Sequence, residues 1–424
     1  MTVALALTGI WFRRPSAMPI ALVALYVFIP YAAGTGFTGS PLHPGTLVGS
    51  VCIVIAGIFR SRSLFRELNE RATIYLLMVG VLAYLFVALR FGAGGDNVQV
   101  ETFIAPFLLV LVFRLSSRWA PVGEPIARGV IVISLAQVAL SALALINGGP
   151  LFYAEQLSAA YQWFSPTLTR ALGTTDHPLV LSLLLASTIP LLASIRSAWL
   201  QLMLIMALTA GLLLTESRTG LLAGLIGVVF LTLRRGRSFG YRVVIIVGAS
   251  VAAAVLLTGT IAQDVLGKFS EDGGSSFVRG VALEAFISRW GDFVFSGWGN
   301  DGATLFRAQM GLPSSLESAF LIFSVNYGIV FTILYFGLAV ILVCAKGKSL
   351  TGARVSAVVA LVLVQSFSSL GTNSASAVIL WAFIALATLR GSDHLPRTTG
   401  AVSDDTEEEV RESHAPNFAS SRRS

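Results

Sequence analysis

RSAWLQLMLIMALTAGLLLTESRTGLLAGLIGVVFLTLRR, residues 196–235, holds two apolar runs joined by the polar link TESRTG. Neither run, 197–214 or 219–233, contains a charged residue. Neither shows the strict alternation of a membrane β-strand. Arg196 and the Arg234–Arg235 pair stand at the far ends, and Arg218 stands at the tip. The pattern predicts a tight helical hairpin in lipid. Its tip is too short to carry Arg218 far from the membrane boundary.

The rest of the chain repeats this motif. Of its 424 residues, 55% are hydrophobic and only 12% charged, about half the charge of an ordinary soluble chain. Mean hydropathy is +0.79. Apolar runs recur near 17–33, 46–59, 73–90, 98–115, 126–147, 177–194, 197–214, 219–233, 242–259, 319–343, 354–370 and 374–390. Several fall short of the roughly 20 residues a spanning helix needs, so flanking polar residues must complete them. The composition predicts an all-α polytopic membrane protein of about 12 transmembrane helices. Residues 1–12, MTVALALTGIWF, precede Arg13 and Arg14 rather than follow them. A signal peptide has the opposite order, so they read as an interfacial or partial helix, or as a thirteenth span.

Charge then sets the expected sidedness. With a cytoplasmic N-terminus, of the 29 basic residues only Arg90, Arg170, Arg218, Lys268, Arg279, Arg289 and Arg307 fall outside. Such a bias is what the positive-inside rule predicts. It also accounts for the +7 net charge without nucleic acid. The predicted division has a cytoplasmic or interfacial segment 1–16 and a nine-helix membrane region 17–259. A large extracytoplasmic loop follows at 260–318, then a three-helix region 319–390 and a disordered cytoplasmic tail 391–424. The tail run DDTEEEVRE is too polar to build a core. Within the large loop, 279–292 has the spacing of a short amphipathic helix. Cys52 and Cys344 sit apart in apolar runs, and the four histidines form no metal-binding pattern. No cofactor or metal is expected.

Charge at a membrane edge is costly unless paired or wet, which makes it the first place to look for chemistry. Arg218 in TESRTG reads as a snorkelling side chain or as a fork for an acidic group such as a diphosphate. Arg279, Arg289 and Arg307 in the large loop, with Arg170 in the shorter loop 148–176, add cations on the side otherwise poor in them. In GWGNDG, 297–302, Trp298 would stack on a sugar face while Asn300 or Asp301 bonds hydroxyls. The alternative is a plain glycine turn. Glu317, opening the tenth run, is the best-placed carboxylate for a general base, or an ordinary helix-start residue. His177 before Pro178 would bind a polar head or assist proton transfer, while the plain reading is an ordinary helix beginning at the proline.

The order of these features resembles the O-antigen ligase/polymerase family of membrane glycosyltransferases over roughly 17–390. The resemblance rests on DHPLVLS at 176–182, SRTG at 217–220, an arginine followed by the GWGNDG block, and ESAFLIFSVNYGIV at 317–330. It implies glycosyl transfer, of an inverting or related type, on the outer face of the cytoplasmic membrane. The implied donor is an undecaprenyl-diphosphate-linked glycan, and the acceptor is a glycan hydroxyl. Envelope polysaccharide assembly proteins would be the partners. The family's outside arginines, which hold the donor diphosphate, match Arg218 and Arg279. Ligases of this family place a histidine where the large loop re-enters the membrane. Glu317–Ser318 stands there in this chain, which favours a repeat-unit polymerase over a ligase. A glycan transporter without transferase activity and a noncatalytic scaffold are the competing readings.

Overall fold

The computed structural model describes residues 2–389 except 39–41, 92–96, 162–163, 165–169, 235–238, 244–245, 248–272, 313–315, 346, 348, 368–369 and 371–373. Most of the expected ninth span, the start of the large loop and the tail 391–424 lie outside these residues. Among the described residues every regular element is helical. In chain order α1 is Thr2–Arg13, α2 Ala17–Phe28, α3 Tyr31–Thr38, α4 Pro44–Phe59, α5 Ser61–Glu70 and α6 Ala72–Phe91. Then follow α7 Asn97–Trp119, α8 Gly123–Ile146, α9 Ala154–Ala160, α10 Pro178–Thr188, α11 Ala198–Leu214 and α12 Arg218–Leu233. Beyond these lie α13 Gly273–Ser288, α14 Gly302–Gln309, α15 Ala319–Tyr327, α16 Ile329–Cys344, α17 Ala353–Leu363 and α18 Ser374–Thr388.

Two helices, Thr102–Trp119 and Gly123–Ile146, are long and apolar enough to cross a membrane. The α4–α5 pair makes a third if it counts as one span, although it bends by 105°. The other apolar helices are shorter. Large apolar side chains face outward on long and short helices alike, including Val54, Phe86, Val132, Leu222 and Val362. A water-soluble monomer rarely exposes so much apolar surface, and lipid removes the cost.

Contacts sort the molecule into two ends. At one, α5 presents Glu67, 1% exposed, to Arg114 at 3.2 Å, to Arg71 at 3.4 Å and to Arg118. Arg114 also donates to the Thr388 carbonyl at the close of α18 (2.8 Å). Trp11 Nε1 donates to Ser116 Oγ at 2.8 Å, which brings the end of α1 to the same place. Residues Thr2–Arg13 are therefore a helix packed into the bundle, with Thr8 donating to Cys52 Sγ at 3.1 Å. At the other end, the Thr174 hydroxyl donates to the Val27 carbonyl (2.9 Å) and its oxygen accepts from Gln137 Nε2 (2.7 Å).

The chain departs from the expected single span 319–343. Phe320 stacks near Phe336 at 6.5 Å and Ser324 Oγ donates to Thr332 Oγ1 at 3.3 Å. Residues so far apart in sequence meet only if α15 folds back along α16. The reversal is Gly328, at φ +102°, a conformation side chains resist. Hydropathy is blind to it because both arms are apolar. Nor do Arg279 and Arg289 share one helix: α13 ends at Ser288 and Arg289 lies beyond it.

A Cβ at Gly328 would stand 2.9 Å from the Phe295 carbonyl carbon. Gly328→Ala is expected to cost about 1–3 kcal/mol, read as a lower thermal midpoint in detergent. Gly337→Ala, within α16 with open space around it, should leave the midpoint unchanged or raise it. Equal midpoints for both variants would remove the strain argument.

Candidate functional site

Three helices begin, and one ends, at a common level. Gly220 of α12 packs on Ser182 of α10, and Gly227 packs on Ile189 and Pro190. The numbers rise together, so α10 and α12 run parallel and start at the same end. Gly352 meets the Pro190 carbonyl, and α17 then lies along both α10 and α12, so it runs back toward their starts. Twelve residues along either α10 or α17 cover about 18 Å. The turn Val364–Ser366 that closes α17 is therefore level with His177. Its Gln365 Oε1 accepts from the Phe320 N–H, the second residue of α15, at 3.0 Å. The start of α15 is level with Phe336, seven residues into α16, so it lies roughly 10 Å below the Gly328 tip.

The first group of site residues surrounds the starts of α10 and α12. Ser217 Oγ accepts from the Gly220 N–H at 3.0 Å and His177 Nδ1 from the Leu179 N–H at 3.1 Å. Both are N-caps, each bonding one of the donors a helix start leaves unpaired. Arg218 is the first residue of α12. Glu216, at φ +52°, turns the chain sharply just before it. Arg170 Nε donates to the Thr215 carbonyl at 3.1 Å, and the Ala171 N–H to the Leu214 carbonyl at 2.8 Å. The 148–176 segment thus docks on the TESRTG turn. Burial pushes the Arg170 guanidinium below its ordinary pKa, and the Glu216 carboxylate works against that shift. Beside this group, buried Asp176 accepts from the Tyr161 hydroxyl at 3.2 Å. Burial, helped by that carboxylate, pushes the Tyr161 phenol up.

The second group is Arg279 and Glu317. Arg279 Nε and Nη2 lie 2.8 and 2.7 Å from Glu317 Oε2. Their side chains are 41% and 34% exposed, so solvent or a ligand can reach the pair. The two residues expected to act on donor and acceptor separately are each other's partners here.

The GWGNDG block is mostly scaffold. A Cβ at Gly297 would stand 2.2 Å from the Asn326 carbonyl carbon, so only glycine lets the loop reach the end of α15. There the Trp298 and Gly299 N–H groups donate to the Val325 and Asn326 carbonyls, at 2.8 and 3.0 Å. Asn300 is buried, its Oδ1 accepting from the Tyr327 hydroxyl at 3.3 Å and its carbonyl from Asn326 Nδ2 at 3.1 Å. Trp298 packs on Phe293 and Phe306. The Arg289 guanidinium lies 5.2 Å from its ring centroid, held by Asp292 at 2.7 Å. That ring face carries a cation where a sugar was expected. Asp301 and Arg307 are exposed on α14 and its N-cap.

Gln365 was passed over in the sequence, where it is the amide of the apolar run 354–370. A lone amide in such a run needs a partner, and that was the available signal. Among the described residues no cluster of three or more His, Cys, Asp or Glu is arranged to hold a metal ion. No protein-family model matches the chain, and no curated protein matches it either.

Asn300→Ala would leave the buried Tyr327 hydroxyl without this acceptor, at about 1–3 kcal/mol. Asp301→Ala, on the surface, is expected within about 0.5 kcal/mol of the parent. Thermal melts in detergent compare the two. An unshifted Asn300→Ala melt would return Asn300 to the list of ligand contacts.

Proposed function

We propose that the chain transfers a glycan from a polyprenyl diphosphate lipid to a sugar hydroxyl, as a polymerase of repeat units for surface polysaccharide. The observation that carries this reading is the shared level of Arg170, Arg218 and the Arg279–Glu317 pair, at the bundle end opposite the Glu67 cluster. In this reading that level faces the extracytoplasmic side, the termini are cytoplasmic, and the apolar helices complete about twelve crossings of the cytoplasmic membrane.

The chemistry follows from the charges. The acceptor hydroxyl oxygen attacks the anomeric carbon, and the bond from that carbon to the phosphate oxygen breaks. The electron pair leaves on the diphosphate, and the hydroxyl proton passes to Glu317. Arg218 and Arg279 neutralise the diphosphate as negative charge builds on it. Glu317 already occupies Arg279, so donor and carboxylate compete for one guanidinium. Binding of the diphosphate draws Arg279 away and leaves Glu317 to receive the proton. Arg170, held at the Thr215 carbonyl, positions the turn that presents Arg218.

A transporter for the same lipid-linked glycan is the second reading. The fold-back of α15 on α16 favours it, since interrupted helices line the sites of many transporters. Purified protein in vesicles separates the two. For the polymerase, Arg218→Ala and Arg279→Ala are expected to lower elongation of a lipid-linked repeat unit by about 10²-fold or more at normal abundance. Glu317→Gln should lower turnover more than donor affinity. Elongation unchanged in all three variants would overturn the assignment. Glycan crossing the vesicle wall without elongation would support the transporter.

A further inference from the structure

Outside the proposed site, the strongest unexplained feature is the helix α5, SRSLFRELNE. It leaves α4 at 105°, so it runs across the bundle end rather than along it. One face is pinned: Glu67 is buried among Arg71, Arg114 and Arg118, and Leu64 packs on the core. At 100° per residue, the opposite arc carries Phe65, Asn69, Arg62 and Arg66 side by side. Phe65 is 67% exposed, and Phe59 and Ile58 at the adjoining end of α4 are exposed as well. Arg66 touches Glu70 at 3.4 Å, but both are well exposed, and such a pair is weak.

We infer that α5 lies flat in the membrane interface and binds anionic lipid headgroups through Arg62 and Arg66, with Phe65 seated in the acyl boundary. Three observations select a lipid surface as the occupant. The helix turns at the foot of an apolar helix whose last residues, Ile58 and Phe59, are exposed. The long stems of Arg62 and Arg66 can run along apolar surface beside the Phe65 ring and still hold their guanidinium groups at headgroup level. The charge on that arc is complementary to phosphate headgroups, and the ion pairs of Glu67 hold it in place before any lipid arrives. This rests on the chain being embedded in a membrane and is independent of the glycosyl-transfer reading.

The test uses the full-length protein in neutral detergent, titrated with phosphatidylglycerol or phosphatidylcholine and read by native mass spectrometry. Phosphatidylglycerol is expected to bind more tightly than phosphatidylcholine. Arg62→Ala/Arg66→Ala should weaken the anionic lipid by roughly 30-fold, from the usual contribution of a basic residue at a charged membrane surface. Arg62→Lys/Arg66→Lys should keep most of the affinity because the charge remains. Equal binding of the two lipids would overturn the inference, as would undiminished phosphatidylglycerol binding by the alanine variant. Displacement of the lipid by millimolar inorganic phosphate would also overturn it, since the surface would then read phosphate alone.

Discussion

A helix that stops inside an apolar bundle leaves backbone N–H and C=O groups without partners, and lipid supplies none. This constraint organises the molecule. Helices α10, α12 and α15 start, and α17 stops, at one level, so their unbonded groups accumulate there. His177 and Ser217 cap two of the starts with their own side chains. Gln365 reaches from the end of α17 to the start of α15. The polar residues at this level are first of all answers to a backbone problem. Once polar groups and water are admitted for that reason, charged side chains can stand beside them at lower cost than elsewhere in the bundle.

The opposite end handles charge differently. Arg71, Arg114 and Arg118 close around one buried carboxylate, Glu67, and Arg60 lies 4.5 Å from the Trp119 ring centroid. Removing one partner of such a buried pair usually costs about 3–5 kcal/mol. These cations are committed to structure. At the other end, Arg279 is paired with a half-exposed glutamate that a stronger anion could replace. Two ion pairs of the same chemistry therefore serve different ends, and burial decides which: the first is locked, the second open to exchange.

Much of this was legible in the sequence, and the missing parts have physical reasons. The helical hairpin at TESRTG and the length and apolarity of α7 and α8, enough to cross a membrane, follow from hydropathy and charge alone. The fold-back at Gly328 does not, because an apolar run looks the same whether it continues or reverses. Its one local sign is a glycine, and glycines are common throughout this chain. The pairing of Arg279 with Glu317 is invisible for another reason: the residues are far apart in sequence, and nothing local encodes their contact. Asn300 and Trp298 show the same blindness to distant partners. Their types suit a sugar site, yet Tyr327 and Arg289 use them first.

The fold-back also explains why Glu317 is where it is. Had 319–343 been one continuous span, Glu317 would stand at the rim, exposed to bulk water and to any passing cation. Reversal at Gly328 carries the start of α15 roughly 10 Å below the tip and brings it level with Arg218. The loop 294–302 then packs over the tip through the Val294, Val325 and Asn326 carbonyls. With its side chain 34% exposed, Glu317 is partly shielded from water, so its pairing with Arg279 is somewhat stronger than at an open surface yet still within reach of a ligand. That strength is useful in the proposed reaction only if something can break the pair. A diphosphate, with more charge and more acceptor oxygens than a carboxylate, is the kind of ligand that can.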